Sequence, residues 1–289
     1  MKINKYILQK ELTKKLEEKI VIGSMEPVYG GDINSSFRLG LEDGRQFFIK
    51  VNRKENIGSF HSEEAALHLM AQTHTVGIPQ VYCCGTVADA AYLAMEFLQQ
   101  QAPYKGYYME FATELAAMHN ATTTKRFGFS QDNNSGRTVQ SNGWENSWIE
   151  FYRTHRLAYQ IKLNEKWFDK KELSNFTYLL DHLDNLLVEP EHPSLLHGDL
   201  WSGNYMCAAH RPYLFDPACY YGHYEVDIAM SELFGRLPQT FYDIYGSINS
   251  LYGYEERRDL YNLYHLLNHL HLFGGSYRQS VLTILKEYT

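Results

Sequence analysis

The chain has 289 residues, 44% hydrophobic and 21% charged, a globular mixture that excludes disorder and collagen-like structure. Its 27 lysines and arginines stand against 34 acids, a formal net charge of −7 with no basic block, which argues against a nucleic-acid partner held by counterion release. The opening MKINKYILQKELTKKLEEKI is amphipathic without a signal-peptide core, and the apolar runs are too short to cross a bilayer, so the expectation is a cytoplasmic protein without a membrane partner. Cys83, Cys84, Cys207 and Cys219 contain no CxxC pair, so reduced thiols are expected rather than a zinc site or a disulfide framework.

In chain order, Ile7, Leu8, Leu12, Leu16 and Ile20 recur at helical spacing and predict a first helix over 4–20. Residues 21–51 then read as a meander of three strands, broken by Gly30-Gly31 and by the Glu42-Asp43-Gly44 turn. A helix over 59–74 buries Phe60, Leu67 and Met70, and strands at 80–87 and 91–98 flank a turn at 88–90. The polar stretch 99–103, ending in Pro103, is the expected linker. Beyond it the pattern is helical over 106–121, 144–164, 170–188, 225–235 and 254–272. Two β pieces interrupt it, 204–208 and 213–216, read as a hairpin turning at Pro212. The fold class is therefore α+β and bilobal: a small β-rich N-terminal lobe (1–98), a hinge (99–103) and a larger helical lobe (104–289), an order that places a ligand in the cleft between lobes.

Asp199, followed five residues later by Asn204 and then by Asp216 after the hairpin, carries the chemistry. ATP-dependent phosphoryl transfer needs one carboxylate facing the acceptor hydroxyl, and an amide and a second carboxylate holding Mg2+ against the phosphates. An Asp-Asn pair in a loop is by itself an ordinary turn cap. Lys50, embedded in the apolar strand Phe47-Phe48-Ile49-Lys50-Val51, changes that reading, because Glu63 in the next helix can pair with it to fix nucleotide phosphates. Gly30, Gly31 and Asn34 lie where backbone N–H groups can approach phosphate, although the stretch matches neither G-x-G-x-x-G nor a Walker A loop. Glu96, Phe97 and Leu98 end the last small-lobe strand, where the adenine would meet the hinge.

With these residues in place, the chain resembles the fructosamine/ketosamine-3-kinase family, a branch related to aminoglycoside and choline kinases. The resemblance rests on LLHGDLWSGN at 195–204, on FGF…DN…G…Q.N.W…W..FYR..RL between Phe127 and Leu157, on FDPACYYGHYEVDIAMSELFG at 215–235 and on LYNLYHLLNHLHLFGGSY at 260–277. It implies a protein-kinase-like fold, ATP and Mg2+ as cofactors, and phosphorylation of the 3-hydroxyl of a small-molecule or protein-linked ketosamine, a step in the repair of glycated amines. By matching position, Asp199 is the implied base, Asn204 and Asp216 the magnesium ligands, and Lys50 with Glu63 the phosphate-fixing pair. Trp201 borders the sugar, with Tyr220 and His223 as further substrate-facing candidates. The chain departs from the pattern in offering Glu64 as a rival partner for Lys50, in placing Arg236 after Gly235 and in lacking a cysteine in the 30–35 loop.

His197 is expected to brace the catalytic loop from behind, and Asp227 either ties that loop down or is a plain helix-surface acid. His265 and His269 stand four apart on a leucine-rich helix without a glutamate between them, so no metal is assigned there, and Trp144 and Trp148 read as packing residues. Two alternatives remain open: a kinase for another hydroxyl acceptor such as an aminoglycoside or choline, and an ATP-binding scaffold without catalysis. A monomer is expected.

Overall fold

The computed structural model describes residues 3–29 and 34–289, so Gly30 and Gly31 lie outside the described residues. The chain divides into two compact units, Met1–Tyr104 with Met206–Phe215, and Lys105–Tyr205 with Asp216–Thr289.

In the first unit, the Asn4 side chain caps α1 (Lys5–Leu16) by accepting the N–H groups of Tyr6 and Ile7, and Glu17 ends the helix in a left-handed conformation (φ 53°). The helix is shorter than the expected 4–20, and only the i, i+4 stripe of Leu8 and Leu12 is fully buried, whereas Ile7, a hundred degrees around the axis, is exposed. Strands β1 (Ile22–Val28), β2 (Ser35–Leu41) and β3 (Gln46–Arg53) precede α2 (Ile57–Ala71), β4 (Val81–Val87) and β5 (Ala90–Glu96). The strands make one antiparallel sheet ordered β1-β2-β3-β5-β4. Period-two alternation along β3 sends Phe47, Ile49 and Val51 into a core with Leu8 and Leu12 of α1. Phe48 packs on the opposite face, with Leu93 and Met95 of β5 and Phe60 and Leu67 of α2. Lys50 shares that α2-facing side.

The expected linker is partly a strand. Gln100–Gln101 form β6, which pairs with a strand from a hairpin a hundred residues on, Cys207 opposite Gln101 and Ala208 opposite Gln100. That hairpin joins the first unit, and its outer strand is tied to Gly77, which donates to the Pro212 carbonyl (3.0 Å) and accepts from the Leu214 N–H (2.9 Å). Its turn is at Ala209 and His210, both left-handed (φ 47° and 56°) as in a two-residue type I′ connection, and not at Pro212. Pro212 lies inside the edge strand, the one place in a sheet where a missing N–H costs no ladder bond.

The second unit contains α3 (Tyr107–Asn120), a small hairpin of β7 (Asn133–Ser135) and β8 (Thr138–Gln140), and α4 (Trp148–Phe151), which runs through a π-helical stretch, Tyr152–Ala158, into α5 (Tyr159–Asn164). Next come α6 (Lys170–Asp181), α7 (Leu183–Leu186) and β9 (Ser194–Leu196), then the hairpin strands described above, β10 (Tyr205–Ala208) and β11 (Arg211–Leu214), and β12 (Tyr220–Gly222). Helices α8 (Glu225–Leu233), α9 (Gln239–Ile248), α10 (Tyr254–Phe273) and α11 (Arg278–Glu287) complete it. Helix α10 packs against α5, α8 and α11, while α3 packs against α9 and β9. The sequence pattern does not reveal α9, α11, the β7–β8 hairpin, β9 or β12. The four strands are three residues long, too short to show alternation, and β9 and β12 exist because Leu196 and Tyr220 meet from distant parts of the chain.

Candidate active site

The first unit supplies a buried ion pair. Lys50 Nζ lies 2.5 Å from Glu63 Oε1, the lysine only 5% exposed, so Glu63 rather than Glu64 is its partner. The choice follows from helix geometry: Glu64 is rotated by about a hundred degrees from Glu63, and it accepts instead from the Cys84 thiol. Asn34 Oδ1 accepts from Asn52 Nδ2 (2.7 Å), which fixes the start of β2 to β3. At the end of β5, the Glu96 N–H is already bonded to the Gln80 carbonyl (2.7 Å), so that group is spent within the sheet edge. Phe97 lies under the Arg38 guanidinium, 4.9 Å from its ring centre.

The second unit supplies the loop 197–204. Its conformation is imposed by β9 and β12, whose pairing continues as the Ala218 N–H donates to the His197 carbonyl (2.9 Å). Gly198 is left-handed (φ +80°), and a Cβ there would stand 2.1 Å from the Ala218 oxygen, so only glycine fits. Beneath the loop lies Asp227, fully buried, with Oδ2 accepting from His197 N (2.7 Å) and His119 Nε2 (3.1 Å), and Oδ1 accepting from Gly198 N (2.8 Å). Burial alone would raise this carboxyl, but His119 and the loop donors outweigh it and hold it below the usual range. Asp227 is therefore not a surface acid. His197, also fully buried, accepts the Asp199 N–H at Nδ1 (3.2 Å) from behind the loop.

Asn204 Nδ2 donates to the main-chain oxygen of Asp199 (2.9 Å) and to its Oδ2 (3.0 Å). Burial pushes the Asp199 carboxyl up to about 7, the Asn204 bond pulls it back, and the charge of Asp216 raises it again. Asp216 itself sits in a left-handed backbone conformation (φ 56°), uncommon for a residue with a side chain.

Three substrate-facing expectations fare differently. Trp201 is 36% exposed, with its ring over Gly203, where a Cβ would come within 2.4 Å of it. Tyr220 and His223 are corrected: both are core residues, 0% and 2% exposed, and present no face to a substrate. The Arg156 guanidinium lies over the Tyr220 ring at 3.9 Å. His223 packs beside Trp148, Tyr224 and Tyr261, accepts the Glu225 N–H (3.2 Å), and is pushed down to about 3 by burial and by Arg257.

Sequence reasoning missed the buttress behind the segment that follows Asp216. Asn133 Nδ2 donates to the Cys219 carbonyl (2.7 Å) and Gln140 Nε2 to the Ala218 carbonyl (3.0 Å). Gln140 in turn accepts from Tyr264 OH (2.6 Å), and Arg156 donates to Asn142 Oδ1 (2.7 Å). Asn133, Gln140 and Asn142 lie within the quoted FGF…DN…G…Q.N.W stretch, but isolated Asn and Gln residues carry no periodic signal.

The chain matches the fructosamine kinase family over residues 5–289. It belongs to the fructosamine kinase family. Among the family's relatives, a probable ketoamine kinase of Vibrio parahaemolyticus is 41% identical over 266 residues, 89% of this chain and 90% of that one. A chloroplastic protein-ribulosamine 3-kinase of Arabidopsis thaliana is 40% identical over 270 residues, 90% of this chain and 81% of that one. A crystal structure from Haemophilus somnus, provisionally named a fructosamine-3-kinase, superposes with a TM-score of 0.89 at 27% identity, covering 98% of this chain and 97% of that chain. The bilobal α+β, protein-kinase-like fold expected from the sequence is thus the fold of this fructosamine kinase family member.

Proposed function

We propose that this chain carries out ATP-dependent phosphorylation of the 3-hydroxyl of a ketosamine, with Asp199 as the base. The observation that carries this reading is the Asp199–Asn204 contact in a loop held from below by Asp227, with the charge of Asp216 bearing on the same carboxylate. Asp199 orients the acceptor hydroxyl and takes its proton as the bond to phosphorus forms. Lys50, held by Glu63, engages the nucleotide phosphates, with Gly30, Gly31 and Asn34 as further phosphate contacts and Glu96, Phe97 and Leu98 beside the adenine. Trp201, half-exposed next to the base, borders the sugar.

The donor set suits magnesium. Asn204 spends its amide nitrogen on Asp199, so Oδ1 is the atom it can offer a metal, and Asp216 adds a carboxylate, both hard oxygen donors. The repulsion that Asp216 exerts on Asp199 is one a cation relieves. A bound Mg2+ supplies charge neutralisation of the phosphates. The substrates are then ATP and a small-molecule or protein-linked ketosamine. Among the described residues no helix is long and apolar enough to cross a membrane, and we place the reaction in the cytoplasm.

The test is ADP release with Mg–ATP and fructosyl-, ribulosyl- and erythrulosyl-amines, an aminoglycoside, choline or no acceptor, each alongside Asp199→Asn. Turnover that depends on a ketosamine and falls about 10²- to 10⁴-fold in a folded Asp199→Asn protein is expected. Turnover only with aminoglycoside or choline would replace the substrate, and an undiminished variant would remove Asp199 from its role.

A further inference from the structure

A cluster of three unlike side chains lies on the α2-facing side of the first unit's sheet. His61 and Glu64, three residues apart on α2, face Cys84 of β4, and their ligand atoms all lie within 4.8 Å of one another. Cys84 Sγ is 3.0 Å from His61 Nδ1 and 3.2 Å from Glu64 Oε2, and the last two atoms are 3.6 Å apart. We propose that His61, Glu64 and Cys84 form a binding site for a zinc-class divalent cation that clamps α2 to β4. The inference is independent of the phosphoryl-transfer reading.

The distances carry the argument. A tetrahedral zinc ion, with bonds of about 2.0 Å to nitrogen or oxygen and about 2.3 Å to sulfur, separates neighbouring ligand atoms by about 3.3–3.5 Å. The two sulfur separations are shorter than the sulfur edge by about 0.3 to 0.5 Å and the nitrogen–oxygen separation is longer than its edge by about 0.3 Å, so a cation can enter with small opposed shifts of the sulfur and of the α2 ligands. Access is open on one side: the His61 side chain is 59% exposed and Glu64 25%, while Cys84 is buried against the sheet, so water can take the fourth position. An imidazole, a carboxylate and a thiolate together suit a borderline-soft ion, unlike the all-oxygen set at Asn204 and Asp216. Without metal, burial and the Glu64 carboxylate push the Cys84 thiol up to about 12, so it is protonated and donates to Glu64. On binding, the sulfur–metal bond replaces the sulfur–hydrogen bond and the proton leaves to solvent.

The chemistry has a structural consequence. Glu64 adjoins Glu63, the partner of Lys50, so an ion holding Glu64 to β4 bears on the segment of α2 that presents the phosphate-fixing pair. The sequence hides the site because two ligands come from a helix and the third from a strand twenty residues later, a spacing that matches no metal motif.

The experiment titrates the full chain with Zn2+ and with Co2+ as a spectroscopic probe, beside His61→Ala and Cys84→Ser. One equivalent bound per chain is expected, with cobalt bands of a tetrahedral thiolate site and a zinc-dependent rise in Tm. Each variant is expected to weaken binding at least about 10-fold and to lose the cobalt bands. Failure of the unaltered chain to bind, or binding and bands unchanged in His61→Ala, would overturn the proposal. His61 is surface-exposed, so its variant decides the matter even if Cys84→Ser does not fold.

Discussion

Asp227 shows how much one carboxylate can organise. It satisfies two consecutive N–H groups of the catalytic loop and one imidazole at once, with no solvent to share the load. In Asp227→Asn the amide oxygen can still serve Gly198 and the amide nitrogen can be accepted by His119 in its other tautomer, but the His197 N–H then faces an NH2 group. An orphaned buried donor costs about 1–3 kcal/mol. The variant is expected to unfold at a correspondingly lower Tm and, because Asp199 rides on this loop, to lose kcat more than it gains in KM for ATP. A KM effect alone would mean that the loop keeps its shape without the carboxylate. Gly198 fixes the same loop from the other side, since the Ala218 oxygen leaves no room for a Cβ.

At the scale of elements, the hairpin of β10 and β11 is instructive because its turn works against its residue types. Ala209 and His210 both adopt left-handed backbone that alanine disfavours by about 1–2 kcal/mol, and the pairings with β6 and Gly77 hold it there. Ala209→Gly is therefore expected to stabilise the protein by about 1 kcal/mol, read as a higher urea midpoint with an unchanged slope. A destabilised variant would place the strain elsewhere. This hairpin also explains why the polar stretch after β5 is partly a strand: Gln100 and Gln101 have no β character of their own and acquire it from their partners.

At the scale of the whole molecule, burial sets the acid response. His223 and His265 are both pushed down to about 3, chiefly by burial, from an ordinary value of 6.5. The unfolded chain binds protons at these sites between pH about 6.5 and about 3 while the folded chain does not, so each contributes stability that is present above 6.5 and is lost as pH falls. Asp199, raised to about 7, acts in the opposite sense and offsets part of the loss. Urea midpoints at pH 7 and pH 4.5 are therefore expected to drop less in His265→Gln than in the unaltered chain, because the substitution removes one of the two histidine contributions. An equal drop in both proteins would show that His265 takes up its proton in the folded state.

Much of the candidate site was legible in the sequence, and the reasons are local. Lys50 stood out because a lysine interrupts an apolar strand, and strand alternation alone places it on the side of the sheet that α2 covers. Asp199 and Asn204 share one short loop, and the helices of the second half other than α9 and α11 followed from apolar spacing. Long-range packing decided the rest. Helix rotation chose Glu63 over Glu64, and closure around Trp148 and Arg156 turned Tyr220 and His223 into core. The pairing of β9 with β12 set the start of the catalytic loop beside the segment that follows Asp216. These outcomes depend on residues brought together from well apart in the sequence, from Lys50 with Glu63 to Trp148 with His223, and composition and periodicity report only on near neighbours along the chain.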